Sequence, residues 1–218
     1  MSNLLESFVA EGEIADHDFN GHDFKGSNLE GIRLRNVNFK GADLSGVNFS
    51  SADIEGCDLT DAQLKNASFH EASLTNCTLS HANLDLADFS FSSLKSVLLV
   101  RAEAHESQWK MAMLDECDLT EGHFVGGSFE LATLLNCQMS KVDLSKTLLT
   151  RLTVTGCDME TVRFFGNDMT QIILMETNLK GQQFPGCILN NALFVRSNLE
   201  GAVFDGLELQ GTILGEAN

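Results

Sequence analysis

The chain has 218 residues, with 14 basic side chains against 31 acidic ones and a formal net charge of −17. That balance opposes binding to a nucleic-acid backbone, whose affinity comes from Lys and Arg, and equally opposes an anionic membrane surface. No apolar run approaches the ~20 residues that span a bilayer, and Met1 to Gly12 lacks the basic start of a signal peptide, so the expected location is cytoplasmic, with secretion by a route without a cleaved signal as the alternative.

Residues 1–12, MSNLLESFVAEG, are read as a cap. Ser2 or Asn3 suits the start of a short helix, and Leu4, Leu5, Phe8 and Val9 suit its apolar face. A first strand is the alternative, because Leu4 and Val9 keep the phase that follows.

From Ile14 to Leu214 a five-residue phase runs without an insertion. It is clearest at Phe39, Leu44, Phe49, Ile54, Leu59 and Leu64. Two residues before each stands a small side chain: Val37, Ala42, Val47, Ala52, Cys57 and Ala62. Every centre is large and apolar except Ala104. A helix needs apolar spacings of 3 and 4, and a flat strand needs 2; a strict 5 fits neither. It fits a chain that advances, turns a corner and repeats, so that four sides close a square coil of 20 residues. Most of the 18 glycines lie two residues after a centre, as do Asn36, Asn66, Asn76, Asn136 and Asn191. That slot is therefore the corner, where φ is positive and Gly and Asn are favoured. Glycine is scarce there between Gly56 and Gly126, which predicts other turn types in the middle coils.

Residues 93–116 are the least regular. Leu98 and Val100 are apolar in polar slots, Ala104 is an undersized centre, and Trp109 is an oversized one on the next side of the coil. Packing compensation is the first reading, with the indole filling what Ala104 leaves. A binding patch made of Leu98, Val100, Trp109, Met111 and Met113 is the alternative. The expected division is a cap at 1–12, one solenoid over 13–214 and a tail at 215–218.

The motif of small residue, Asp or Asn, then Leu or Phe, carried in phase over about nine tenths of the chain, resembles the pentapeptide-repeat family, whose motif is A(D/N)LXX. The resemblance implies an all-β fold, a right-handed quadrilateral parallel β-helix, here of about ten coils stacked at about 4.8 Å into a rod of about 50 Å. One branch of the family, the quinolone-resistance and toxin-immunity proteins, resembles duplex DNA in shape and charge and binds type II topoisomerases, chiefly DNA gyrase. The unbroken register leaves no place for the loops that protrude from many Gram-negative members. No C-terminal helix, through which members commonly dimerise, is expected in Gly215 to Asn218.

The six cysteines (Cys57, Cys77, Cys117, Cys137, Cys157 and Cys187) all occupy the small inward slot, which predicts structural, reduced thiols. His17 and His22 share that slot and are expected to be partly buried and satisfied. No phosphate-cradling loop, nucleophile elbow or metal-spaced His/Cys set is evident, so no catalytic, cofactor or metal residue is assigned and the chain is read as non-enzymatic.

Two surfaces remain. On the side of Phe19, Phe39 and Leu59, outward slots carry Asp18, Asp58, Asp61, Asp118, Glu121, Asp158, Glu160 and Glu200. Solubility alone explains such a face; the resemblance implies DNA mimicry directed at gyrase or topoisomerase IV. A scaffold or secreted effector with no topoisomerase role is the alternative. On the side of Leu174, Phe194 and Leu214, outward slots hold Ile173, Met175, Leu193, Val195 and Ile213, an apolar stripe that predicts a homodimer through the C-terminal coils.

Overall fold

A corner every five residues organises the molecule. In the computed structural model, which describes residues 12–218, every corner residue from Asp16 to Glu216 except Thr161 has a positive φ between 51° and 74°. The glycine-poor middle coils do not switch to other turns, contrary to the expectation from sequence. Asp61, Glu71, Leu86, Phe91, Arg101 and Met111 hold the same left-handed conformation, at 56° to 62°. This region costs a non-glycine residue about 1–2 kcal/mol. The offset comes from the ladder: each of these corner N–H groups donates to a carbonyl of the next coil, as in Phe91 N to Lys110 O at 2.8 Å and Met111 N to Glu130 O at 2.9 Å.

Between corners the sides run straight. Three-residue strands from β1 (Glu13–Ala15) to β11 (Ile213–Gly215) form one 11-stranded parallel sheet in sequence order. The register is strict: Ile14 lies opposite Leu34, and Leu34 opposite Ile54. The other three sides pair through single bridges of the same offset, such as Asp18 with Asn38, Asp23 with Asp43 and Asn28 with Asn48. The result is a parallel β-solenoid of about ten turns. Among the described residues there is no helix, so none is long and apolar enough to cross a membrane. The cap expected at residues 1–12 falls, except for Gly12, outside the described residues.

The core is a column one side chain thick on each wall. Centres from Ile14 to Phe194 are buried, and on one wall the rings stack: Phe49 on Phe69 at 5.1 Å, Phe69 on Phe89 at 4.5 Å, Phe89 on Trp109 at 4.1 Å, and Trp109 on Phe129 at 5.4 Å. Parallel strands one coil apart place like side chains directly over one another, and a flat ring fills that spacing well. In the last coil, Leu199 and Phe204 are only partly buried, while Leu209 and Leu214 are exposed.

The inward small slot also takes polar residues, provided each finds a carbonyl. Thr147 Oγ1 donates to Phe124 O, Asn167 Nδ2 to Leu144 O at 2.6 Å and Thr147 O at 2.8 Å, and Gln182 Nε2 to Met159 O and Val162 O at 2.8 and 2.7 Å. No buried side-chain polar atom among the described residues lacks a partner, which is the condition for burying such groups cheaply.

All six cysteines are free and buried. Cys57 and Cys77 stack in one column, as do Cys117, Cys137 and Cys157, with Cys137 N donating to Cys157 Sγ at 3.3 Å. Hydrogen bonding to stacked thiols, and then burial, push the Cys57 and Cys137 thiols above the ordinary range; burial alone raises Cys187. His17 and His22, by contrast, are exposed rather than partly buried. Their two columns continue with Val37 and Ala42 in the next coil, both buried. Each ring lies outside, against Phe19 at 5.6 and 5.8 Å, with Nδ1 bonded to the carbonyls of Ala15 and Asn20.

Candidate interaction surface

The acidic side is built by the slot just before each centre. There an Asp side chain folds back on its own corner: Asp18 Oδ1 accepts from Asn20 N at 3.1 Å, Asp58 from Thr60 N at 2.9 Å, Asp118 from Thr120 N at 2.9 Å, and Asp158 from Glu160 N at 3.1 Å. This is the local side-chain to backbone bond that short acidic residues make in turns. Asp18 and Asp158 also accept from Asn38 Nδ2 and Asn178 Nδ2 of the next coil, and Glu160 Oε2 shares the latter amide at 3.1 Å. One carboxylate oxygen of each Asp is thus engaged in holding the corner.

The remaining acids of the set divide. Asp61 is an exposed corner. Glu121 lies between Arg101 Nε at 2.6 Å and Lys141 Nζ at 3.0 Å, and these two bonds hold its carboxyl below the usual range. Glu200 pairs with Lys180 at 2.9 Å and raises the lysine's pKa. The structure therefore brings the eight acids to one side, yet two are matched by cations. Other acids lie on the remaining three sides, among them Asp43, Asp88 and Asp115. The charge is a sheath around the rod more than a stripe.

The apolar stripe assembles as the register requires. On β9 (Ile173–Met175), β10 (Leu193–Val195) and β11, Ile173, Leu193 and Ile213 stand opposite one another, as do Met175 and Val195. The centres Leu174 and Phe194 face the core at 0% exposure, so the flanking residues face out: Ile213 is 59% exposed and the other four are half-buried by their neighbours in the stack. At the opposite end of the same sheet these slots hold a charge network. Arg33 contacts Glu13 and Asp53, and Arg35 contacts Glu13, Asp53 and Glu55.

A second, smaller patch lies mid-rod. Phe91 and Met111 are successive residues of one corner column, with Met113 beside them on the sheet, and all three are nearly half exposed. Trp109 does not belong to this patch: it is fully buried. Its Nε1–H donates to Ser107 Oγ at 2.8 Å, and Ser107 donates in turn to Ala104 O at 2.7 Å. The indole is therefore tied through Ser107 to the backbone of Ala104.

Residues 12–89 match the model of the pentapeptide repeat region, and residues 112–151 and 183–218 match that of pentapeptide repeats in eight copies. The chain belongs to the pentapeptide-repeat family. Its fold is that of HetL, a pentapeptide-repeat protein involved in heterocyst differentiation regulation in the cyanobacterium Nostoc sp. strain PCC 7120. The TM-score is 0.76 and the identity 21%, over all of this chain and 94% of HetL. QnrB1, a plasmid-mediated fluoroquinolone resistance protein, is more distant, with a TM-score of 0.44 and 17% identity over 94% of this chain and 93% of its own. No curated protein matches in sequence.

Pentapeptide-repeat numbering in fives hides one further group. Glu103, His105 and His123 converge on the surface from two coils. No spacing along the chain suggests it; stacking the sequence in rows of 20 does.

Proposed function

We propose that this protein acts without chemistry of its own, as a rigid rod that binds other proteins, and that its C-terminal coils bind a second copy of the chain. The apolar stripe on β9 to β11 carries the proposal. The same slots are charged on β2 (Arg33–Arg35) and β3 (Asp53–Glu55), so apolarity is not demanded by the sheet. A contiguous apolar surface of this kind marks an interface. A two-fold axis through the stripe would cover Ile173, Leu193 and Ile213 of both copies at once, as closed dimers do. Light scattering is expected to give a dimer for the parent and a monomer for Leu193→Glu/Val195→Lys, which puts two charged groups into the apolar stripe. A monomeric parent overturns the dimer.

A type II topoisomerase is the partner that the acidity favours. Net charge of −17 over about 50 Å is about one charge per 3 Å, against one per about 1.7 Å for duplex DNA. The rod thus carries roughly half the linear charge of the polymer that DNA gyrase grips. Micromolar protein is expected to change gyrase supercoiling, or its inhibition by a quinolone. Unchanged supercoiling in both assays removes the topoisomerase and leaves a scaffold for other partners.

A further inference from the structure

We propose that Glu103, His105 and His123, supported by Asp85, form a surface site for a borderline divalent transition ion such as Zn2+, Ni2+ or Cu2+. Three adjacent coils supply the donors. Glu103 and His105 flank the inward centre Ala104, so both face out. His123 is bridged to Glu103 in the next coil. Asp85 lies one coil to the other side and accepts the backbone N–H of His105 at 3.0 Å.

The separations suit a metal. His105 Nδ1 is 2.8 Å from Asp85 Oδ1 and 3.8 Å from Glu103 Oε2, and His123 Nδ1 is 3.2 Å from Glu103 Oε2. One ligand atom from each of Glu103, His105 and His123 lies within 4.8 Å of the other two. Tetrahedral coordination with bonds of about 2.0–2.2 Å sets donors about 3.3–3.6 Å apart, and the separations of 3.8 and 3.2 Å from Glu103 to the two imidazoles bracket that figure. A histidine–carboxylate hydrogen bond explains one pair at a time. It does not explain two imidazoles and two carboxylates meeting from three coils, in a chain with six histidines.

Donor chemistry selects the ion. Imidazole with carboxylate suits Zn, Ni and Cu, whereas Mg and Ca prefer oxygen throughout. The rings, 6.4 Å apart and inclined at 56°, are not locked against each other, so each can present a nitrogen. A groove of about 460 Å³ beside them, lined by His81, Arg101, Glu121 and Lys141 as well as Glu103 and His123, gives access. The cations Arg101 and Lys141 are matched there by Glu121. The backbone of the three coils is fixed by the ladder, so the donors are held before any ion arrives. If His105 turns its other nitrogen to the ion, Asp85 remains bonded to Nδ1 and orients the ring, the usual arrangement behind a metal-bound histidine.

Calorimetric titration of the reduced, full chain with zinc chloride and with nickel chloride tests the site. One ion per chain is expected to bind the parent and His70→Ala alike, and to bind His105→Ala/His123→Ala at least tenfold more weakly. All three proteins should melt alike without metal, because the substituted rings are on the surface. In NMR, substoichiometric Cu2+ should broaden the amides of residues 103–105 and 123 first. Equal affinity of the parent and the double variant, or broadening centred elsewhere, overturns the proposal.

Discussion

Leu59→Asp is expected to destabilise the protein by about 2.5–6 kcal/mol. Leu59 is 1% exposed, with Phe39 and Leu79 as the corresponding centres of the adjacent coils, both fully buried. The change removes about 1.5–3 kcal/mol of burial and inserts a carboxyl with no partner, which adds a further cost of at least about 1–3 kcal/mol even when the group takes up a proton. The ladder cannot move aside, since Leu59 N donates to Thr78 O and Phe39 N to Asp58 O, both at 2.7 Å. Each coil touches only its neighbours, so the damage is local in origin. Thermal melting should therefore show either a lowered single transition or an early step in which the coils before Leu59 separate. Leu59→Met, of similar volume, should cost less than about 1.5 kcal/mol. If Leu59→Asp melts with the parent, Leu59 does not face the core.

The period of five made most of this legible. It gave the inward centres, the small slot that hides Cys57 and Cys137, and the outward stripe of Leu193 and Val195, because side-chain direction in a solenoid follows phase, His17 and His22 being the exceptions. What it did not give has two causes. Corner conformation was inferred from Gly and Asn, yet Leu86, Phe91 and Met111 are held left-handed by hydrogen bonds to the next coil, so the ladder overrides residue preference. The meeting of Asp85, Glu103, His105 and His123 arises across coils, where Asp85 meets His105 and Glu103 meets His123, each 20 residues apart. The acidic side shows the same limit. Asp58 and Glu121 are visible as charges in the sequence, but only the structure shows that one holds a turn and the other lies between two cations.

Trp109→Ala is expected to cost about 3–5 kcal/mol, the range for deleting a large buried aromatic side chain. Trp109 is 0% exposed, stacked between Phe89 at 4.1 Å and Phe129 at 5.4 Å, with the edge of Phe124 at 5.7 Å. Trp109→Phe keeps a ring in the stack but removes the donor to the buried Ser107 Oγ, and should cost about 1–3 kcal/mol. Compensation with Ala104 makes a stricter demand. With the indole filling the space beside Ala104, as compensation demands, Ala104→Leu alone should overpack the coil, at about 1–3 kcal/mol. Joined to Trp109→Leu it restores an ordinary pair of centres. The double variant should therefore be more stable than the sum of the single changes by about 1 kcal/mol or more, the coupling expected of residues that share one volume. Chemical denaturation of the four proteins measures it, with loss of the sheet signal in circular dichroism as the readout, since the single tryptophan is itself replaced. Strict additivity would mean that Trp109 and Ala104 pack independently, and that the irregular coil at 93–116 has some other cause.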